Sequence, residues 1–214
     1  MARNRTLAQL LSDVRERANL RGSQPTDTAV TAFINAAIAW VWQDLAGNGW
    51  GYTIAEGTVT CTPDVATVAL PATFAAMRHV RRPTSGVDQQ YRQATFLDPA
   101  EYYRVDPDEA GQWPAPGRYW YSQGFLRLAP IPAVAEVVKL VFETGPPVLS
   151  DPADTYDAIY ATDEPVIWYA AGLATPDGPT KANFLAMAER LHRISVKGLR
   201  PRDRQAQRVR GGRR

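Results

Sequence analysis

Apolar residues recur at helical spacing at both ends of this 214-residue chain and at shorter, alternating spacing between them. Thr6 followed three residues later by Gln9 is a capping box, and Leu7, Leu10, Leu11, Val14 and Ala18 form a stripe from which Asp13, Glu16 and Arg17 are excluded. The spacing predicts an amphipathic helix ending before Gly22. After the turn-like GSQPTD, Thr26 or Asp27 caps a second helix whose stripe is Val30, Phe33, Ile34, Ala37, Ile38, Val41 and Leu45, with Gly47 as its stop. From Gly49 to Thr144 the pattern becomes short runs of Val, Thr and aromatics broken by Pro, Gly and Asp. It predicts strands at 51–55, 57–62, 66–70, 77–82, 118–122, 125–129 and 136–143, the fifth and sixth joined as a hairpin through Ser122-Gln123-Gly124. Asp98-Pro99-Ala100-Glu101 predicts a short helix carrying Tyr102 and Tyr103. Helical periodicity returns after Gly145-Pro146-Pro147, first from Thr162–Pro165 through Leu173 and then to about Val196, with Phe184, Leu185, Ala188, Leu191 and Ile194 on one side and Arg190, Arg193 and Lys197 on another.

Each amphipathic stripe has to be buried against something, and the economical arrangement packs the two terminal helix pairs on each other. The expected fold is α+β: a four-helix unit built from both chain ends, with an inserted mostly antiparallel β domain projecting from it and an extended C-terminal tail. The boundaries read 1–48 for the first helix pair, 49–144 for the β domain, 145–199 for the second helix pair and 200–214 for the tail.

Composition changes the picture chiefly through charge. An apolar fraction of 45% is ordinary for a globular chain, and the net charge of +2 looks neutral. Removing the seven arginines and one aspartate of 198–214 from 24 basic and 22 acidic residues leaves 17 against 21, a body at −4. With the arginines of the first 21 residues also set aside, residues 22–197 hold 12 basic and 19 acidic groups, a poor nucleic-acid surface. The single cysteine, Cys61, allows no internal disulfide and fits synthesis in a reducing cytoplasm. No apolar run approaches the roughly 20 residues that span a bilayer, so no membrane partner is expected.

Convergent titratable groups are scarce, which argues against an enzyme. His79 falls in an apparent strand and His192 on the exposed side of a helix, neither at metal-ligand spacing. Cys61 reads as a small buried residue rather than a nucleophile. Gly47-Asn48-Gly49-Trp50-Gly51 follows a helix and precedes a strand, the reverse of a dinucleotide-binding loop, and reads as a turn. Asp106-Pro107-Asp108-Glu109 lacks the spacing of a calcium loop. No metal, cofactor or catalytic site is expected. Tyr119, Trp120, Tyr121 and Phe125 beside Arg118 and Arg127 resemble a base-stacking platform, but alternation in a hairpin places some of them in the core whatever the function.

The stretch Trp50–Phe74, WGYTIAEGTVTCTPDVATVALPATF, following an aromatic-ended helix, resembles the adaptor proteins of tailed bacteriophages. The likeness is strongest to the tail-tubular-A type of short-tailed phages and extends to the head-completion connectors of long-tailed ones. It is carried by Trp50 and Tyr52 opening a strand, a glycine turn at Gly57, Pro63-Asp64, and Leu70-Pro71 before an aromatic. Downstream it includes Leu126-Arg127-Leu128-Ala129-Pro130 and the Pro165–Ala174 helix with Trp168-Tyr169, and so covers most of the chain. The loop Pro83–Tyr91 and the arginine density of the tail depart from the pattern.

The resemblance implies a non-enzymatic ring, commonly of twelve copies, in the neck of the virion and assembled in the host cytoplasm. Its partners would be the portal protein above, the next tail component (nozzle or tail tube) below, other copies of itself, and double-stranded DNA passing through the lumen without specific binding. It also implies a C-terminal segment that docks on the portal, which in this chain places Arg200, Arg202, Arg204, Arg208, Arg210, Arg213 and Arg214 at the contact. Arginine forks pair with phosphates as readily as with carboxylates, so the alternative is a nucleic-acid-binding module using the same arm.

Overall fold

The computed structural model describes residues 3–22, 25–47, 53–83, 90–98, 101, 117–158, 161–176 and 178–211, with Arg3, Gly47 and 198–211 described by backbone alone. It is α+β and divides into two compact units, Met1–Gly51 with Pro146–Arg214, and Tyr52–Gly145.

In the first unit, strand β1 (Arg3–Thr6) pairs antiparallel with β10 (Thr155–Ala158) and leads directly into helix α1 (Leu7–Arg17). Thr6 ends the strand and caps the helix, and both hydrogen bonds of the capping box with Gln9 are present. Leu7, Leu10 and Val14 are buried along α1. Helix α2 (Asp27–Gly47) begins where Thr26 Oγ1 accepts from Ala29 N at 3.3 Å, and buries Val30, Ile34, Ala37, Ile38, Val41 and Leu45. Helix α3 (Asp163–Ala174) buries Val166, Ile167, Ala170, Ala171 and Gly172. Helix α4 (Pro179–Gly211) packs closely on it, because a Cβ added at Gly172 would lie 2.8 Å from Leu185 Cδ2.

Three sequence expectations are corrected in this unit. By length and composition α2 is apolar enough to cross a membrane, with a mean hydropathy of 1.2, contrary to the reading that no such run exists. Its stripe is nevertheless buried within the helical unit, and Asn35, Gln43 and Asp44 break the apolar run outside that stripe. The buried line of α4 runs through Ala188, His192 and Val196, leaving Ile194 58% exposed; steps of four residues follow the 3.6-residue turn better here than steps of three. The tail beyond residue 199 is helical to Gly211, not extended. Pro201 removes the bond to the carbonyl of Lys197 and its ring crowds that carbonyl, but the Arg, Gln and Ala residues that follow are strong helix formers.

The second unit holds two four-stranded sheets, ordered β2-β9-β4-β5 and β3-β8-β7-β6. The strands are β2 (Ile54–Cys61), β3 (Thr67–Ala69), β4 (Phe74–Pro83), β5 (Tyr91–Gln93), β6 (Thr95–Phe96), β7 (Arg118–Ser122), β8 (Phe125–Ala129) and β9 (Glu136–Thr144). Every pairing is antiparallel except β6 with β7. The expected hairpin is present, its turn made by Gln123 and Gly124 at φ 51° and 79°. Cys61, Val80, Tyr119, Leu126, Leu128, Val138, Leu140 and Phe142, drawn from both sheets, form one core cluster. Gly57 is not the turn it was expected to be. It lies within β2, where a Cβ would approach Phe142 Cε1 to 3.3 Å, so the absent side chain makes room for the ring.

Candidate interaction surfaces

Helices α2 and α4 enclose a groove of about 490 Å³ lined by Trp40, Asp44, Glu189, His192, Arg193, Val196 and Lys197. Its aromatic wall is fixed from behind, since Trp40 stacks on Tyr169 of α3 at 4.5 Å and 12° and also meets His192 at 4.9 Å. His192, expected on the exposed side of the helix, is 7% exposed and its Nε2 lies 3.0 Å from Asp44 Oδ2. It was misplaced because the stripe was drawn through Ile194. The Glu189 carboxylate accepts from Arg193 at 3.3 Å. A smaller hollow of about 280 Å³ continues along α4 over Ile194, between Arg190 and Lys197. Cations outnumber carboxylates along this surface, three to two, and both carboxylates are already engaged.

The segment between the β unit and β10 presents the opposite character. Leu149 is buried, and its backbone is held on both sides by one side chain: Asn35 Nδ2 donates to Leu149 O at 2.9 Å, and Leu149 N donates to Asn35 Oδ1 at 3.0 Å. Asp154 Oδ2 accepts from Ser150 N at 2.7 Å and Asp151 N at 2.8 Å, which holds its carboxyl below the ordinary carboxylate range through those backbone donors. The loop is thereby fixed, and it displays Val148 at 74% exposure beside an exposed Asp151.

The residues singled out in the sequence are dispersed. His79 is exposed on β4 with Gln93 Nε2 3.1 Å from its Nδ1, and His192 belongs to the other unit. Cys61 is buried and its thiol is pushed up to about 11, first by burial and then by Glu136. Among the aromatics of the hairpin, Tyr119 and Trp120 are buried in the core. Arg127 lies over the Trp120 ring at 5.9 Å, and Phe125 is exposed with Phe96, whose ring meets Tyr119 at 5.7 Å. Four tightly spaced stacking rings are therefore not offered to solvent on one face. Trp50, Tyr52, Tyr102, Tyr103 and the carboxylates of 106–109 lie outside the described residues, as do Arg213 and Arg214 and most of the Gly47–Gly51 turn. Arg200, Arg202, Arg204, Arg208 and Arg210 are placed on the terminal helix by backbone alone. Among the described residues no three His, Cys, Asp or Glu side chains cluster as metal ligands.

The display of Val148 was missed, although the signal was available: a valine between Pro146-Pro147 and the polar, proline-broken Ser150–Asp154 has no periodic partner to bury it.

A search of curated proteins returns no match. The model of one protein family, described as SU10 adaptor protein, matches residues 5–213, a span that runs from within β1 through the arginine-rich end. A match of that extent shows the family, and the chain belongs to the SU10 adaptor proteins, structural proteins of bacteriophage particles.

Proposed function

We propose that this chain is a head-to-tail adaptor that forms a ring, of about twelve copies on the resemblance drawn above, beneath the portal and joins it to the next tail component, with DNA passing through the lumen. The family match over residues 5–213 carries the reading, because it extends through the segment expected to reach the portal. In this scheme 1–48 and 145–199 supply the helical body, 49–144 the β module, and 200–214 the docking element. The helical course of 200–211 fits a basic helix end that presents Arg200, Arg202, Arg204, Arg208 and Arg210 to acidic or carbonyl acceptors. An acidic body also suits a lumen through which DNA slides without being held.

The test is assembly with purified portal protein, read by native mass spectrometry and by electron microscopy of the complex. Rings on the portal are expected for the full chain, and a chain ending at Lys197 is expected not to attach. Attachment of the shortened chain at full strength rejects the docking role, and failure of the full chain to form any multimer with portal present rejects the ring.

A further inference from the structure

The structure points to the contact between neighbouring copies: we infer that the fixed loop around Val148 and Asp151 of one copy docks along the α2–α4 groove of the next and the adjoining hollow on α4, over Ile194 and between Arg190, Arg193 and Lys197. This deepens the ring reading and rests on it.

Both partners in the proposed contact have features that call for a cover. Among the described residues Val148 and Ile194 are the most exposed aliphatic side chains of the helical unit, at 74% and 58%, and each sits in a surface of opposite sign to the other. The loop offers Asp151, and the groove and its adjoining hollow offer Arg190 and Lys197 beside Arg193, which Glu189 engages, while Asp44 is engaged with His192. Both surfaces are also rigid before contact. Asn35 pins Leu149, next to Val148, Asp154 pins the amides of Ser150 and Asp151, and Trp40 is stacked against Tyr169, so little backbone freedom between Val148 and Asp151 remains to be lost on docking.

The position of the two surfaces on α2 decides what kind of contact they make. Nine positions separate Asn35, which holds the loop, from Asp44, which lines the groove, and at roughly 100° per residue that is about two and a half turns. Asn35 and Asp44 therefore point to opposite sides of α2, with Asn35 on one flank of the buried stripe and Trp40 on the other. A loop on one flank that fits a groove on the other cannot pair with itself across a two-fold axis. It makes a heterologous contact, which repeats from copy to copy and closes when the rotation allows.

The experiment uses the full chain with portal protein. Val148→Cys and Ile194→Cys combined in one chain are expected to yield, on mild oxidation, a ladder of covalent multimers, whereas each single variant yields none, and Cys61 is buried and does not contribute. Ile194→Glu is expected to weaken assembly by tenfold or more on the order of an interface anchor. Arg193→Glu and Asp151→Arg should each weaken it, and their combination should restore it. Far-ultraviolet circular dichroism of each exposed-site variant separates misfolding from lost assembly. Covalent dimers from a single-cysteine variant would overturn the heterologous contact, and so would rings of Ile194→Glu that form as well as the unmodified chain. In either case the ring itself stands. If the unmodified chain remains a monomer with portal present, the ring reading fails first and the contact with it.

Discussion

Arg5 Nε donates to Asp163 Oδ2 at 3.2 Å while its Nη2 lies 3.0 Å from Asp13 Oδ2, so a half-buried guanidinium ties β1 to α1 and to the first turn of α3. Asp163 is 1% exposed, and its carboxylate also adds favourable charge at the helix N-terminus. Asp163→Ala leaves a desolvated arginine arm with one partner fewer, and a loss of about 3 kcal/mol is expected in urea unfolding followed by the helical signal. Asp163→Asn, which keeps the shape, should cost less. A second consequence at this scale concerns alkaline pH. Burial is the first cause in raising the Cys61 thiol from 9.0 to about 11, and burial also raises Tyr156 from 10.0 to about 12 against the lowering effect of its hydrogen bond to Thr162. Between those limits the native state keeps protons that the unfolded chain has lost. The stability these groups contribute is therefore complete below about pH 9, and it falls as pH rises through 11 and 12. Denaturation midpoints at pH 8 and pH 10.5 are expected to differ, and Cys61→Ala should shrink the part of that difference assigned to the thiol. A midpoint that does not move with pH in this range would mean that neither group keeps its proton in the fold.

At the scale of elements, α3 and α4 approach so closely that Gly172 is the only residue type that fits without a shift. Gly172→Leu forces Leu185 and Phe184 outward and is expected to cost about 1–3 kcal/mol, as overpacked cores do. Gly172→Ala should cost much less, because Leu185 Cδ2 can turn away and alanine raises helix propensity by about 1 kcal/mol over glycine. Thermal unfolding monitored at 222 nm distinguishes the two variants. How far such elements can be read from sequence depends on whether their determinants are local. The first helix was legible because Thr6 and Gln9 cap it three residues apart, and the 118–129 hairpin because Gln123-Gly124 supplies its positive φ angles. Strands β1 and β10 were not legible, since RNRT and TYDA have no strong pattern and gain their order by pairing across about 150 residues of sequence. Gly57 was misread for a related reason: a glycine in sequence looks like a turn, and only the Phe142 ring on the neighbouring strand explains it within β2. The site suffered most, because a one-residue error in the stripe of α4 hid both the burial of His192 and the exposure of Ile194.

For the whole molecule, the question is whether the arginine-rich end belongs to the fold or only to its contacts. Among the described side chains the buried anchors of α4 are Ala188, His192 and Val196, and α4 meets α3 through Leu185 and Phe184 further upstream. Shortening the chain to residue 197 is therefore expected to leave its thermal midpoint within about 2 °C, although it removes a net six positive charges and takes the protein from +2 to −4. The same truncation separates a protein-docking end from a DNA-binding one. If all seven arginines neutralised phosphates, affinity for duplex DNA would fall with a log-log salt slope of about −6. An end that docks on protein acceptors predicts a much shallower slope for the full chain and none after truncation. It also predicts that excess duplex DNA does not displace the adaptor from the portal. A slope near −6, together with displacement by DNA, would reassign the segment to the nucleic acid and leave the helical body to hold the portal.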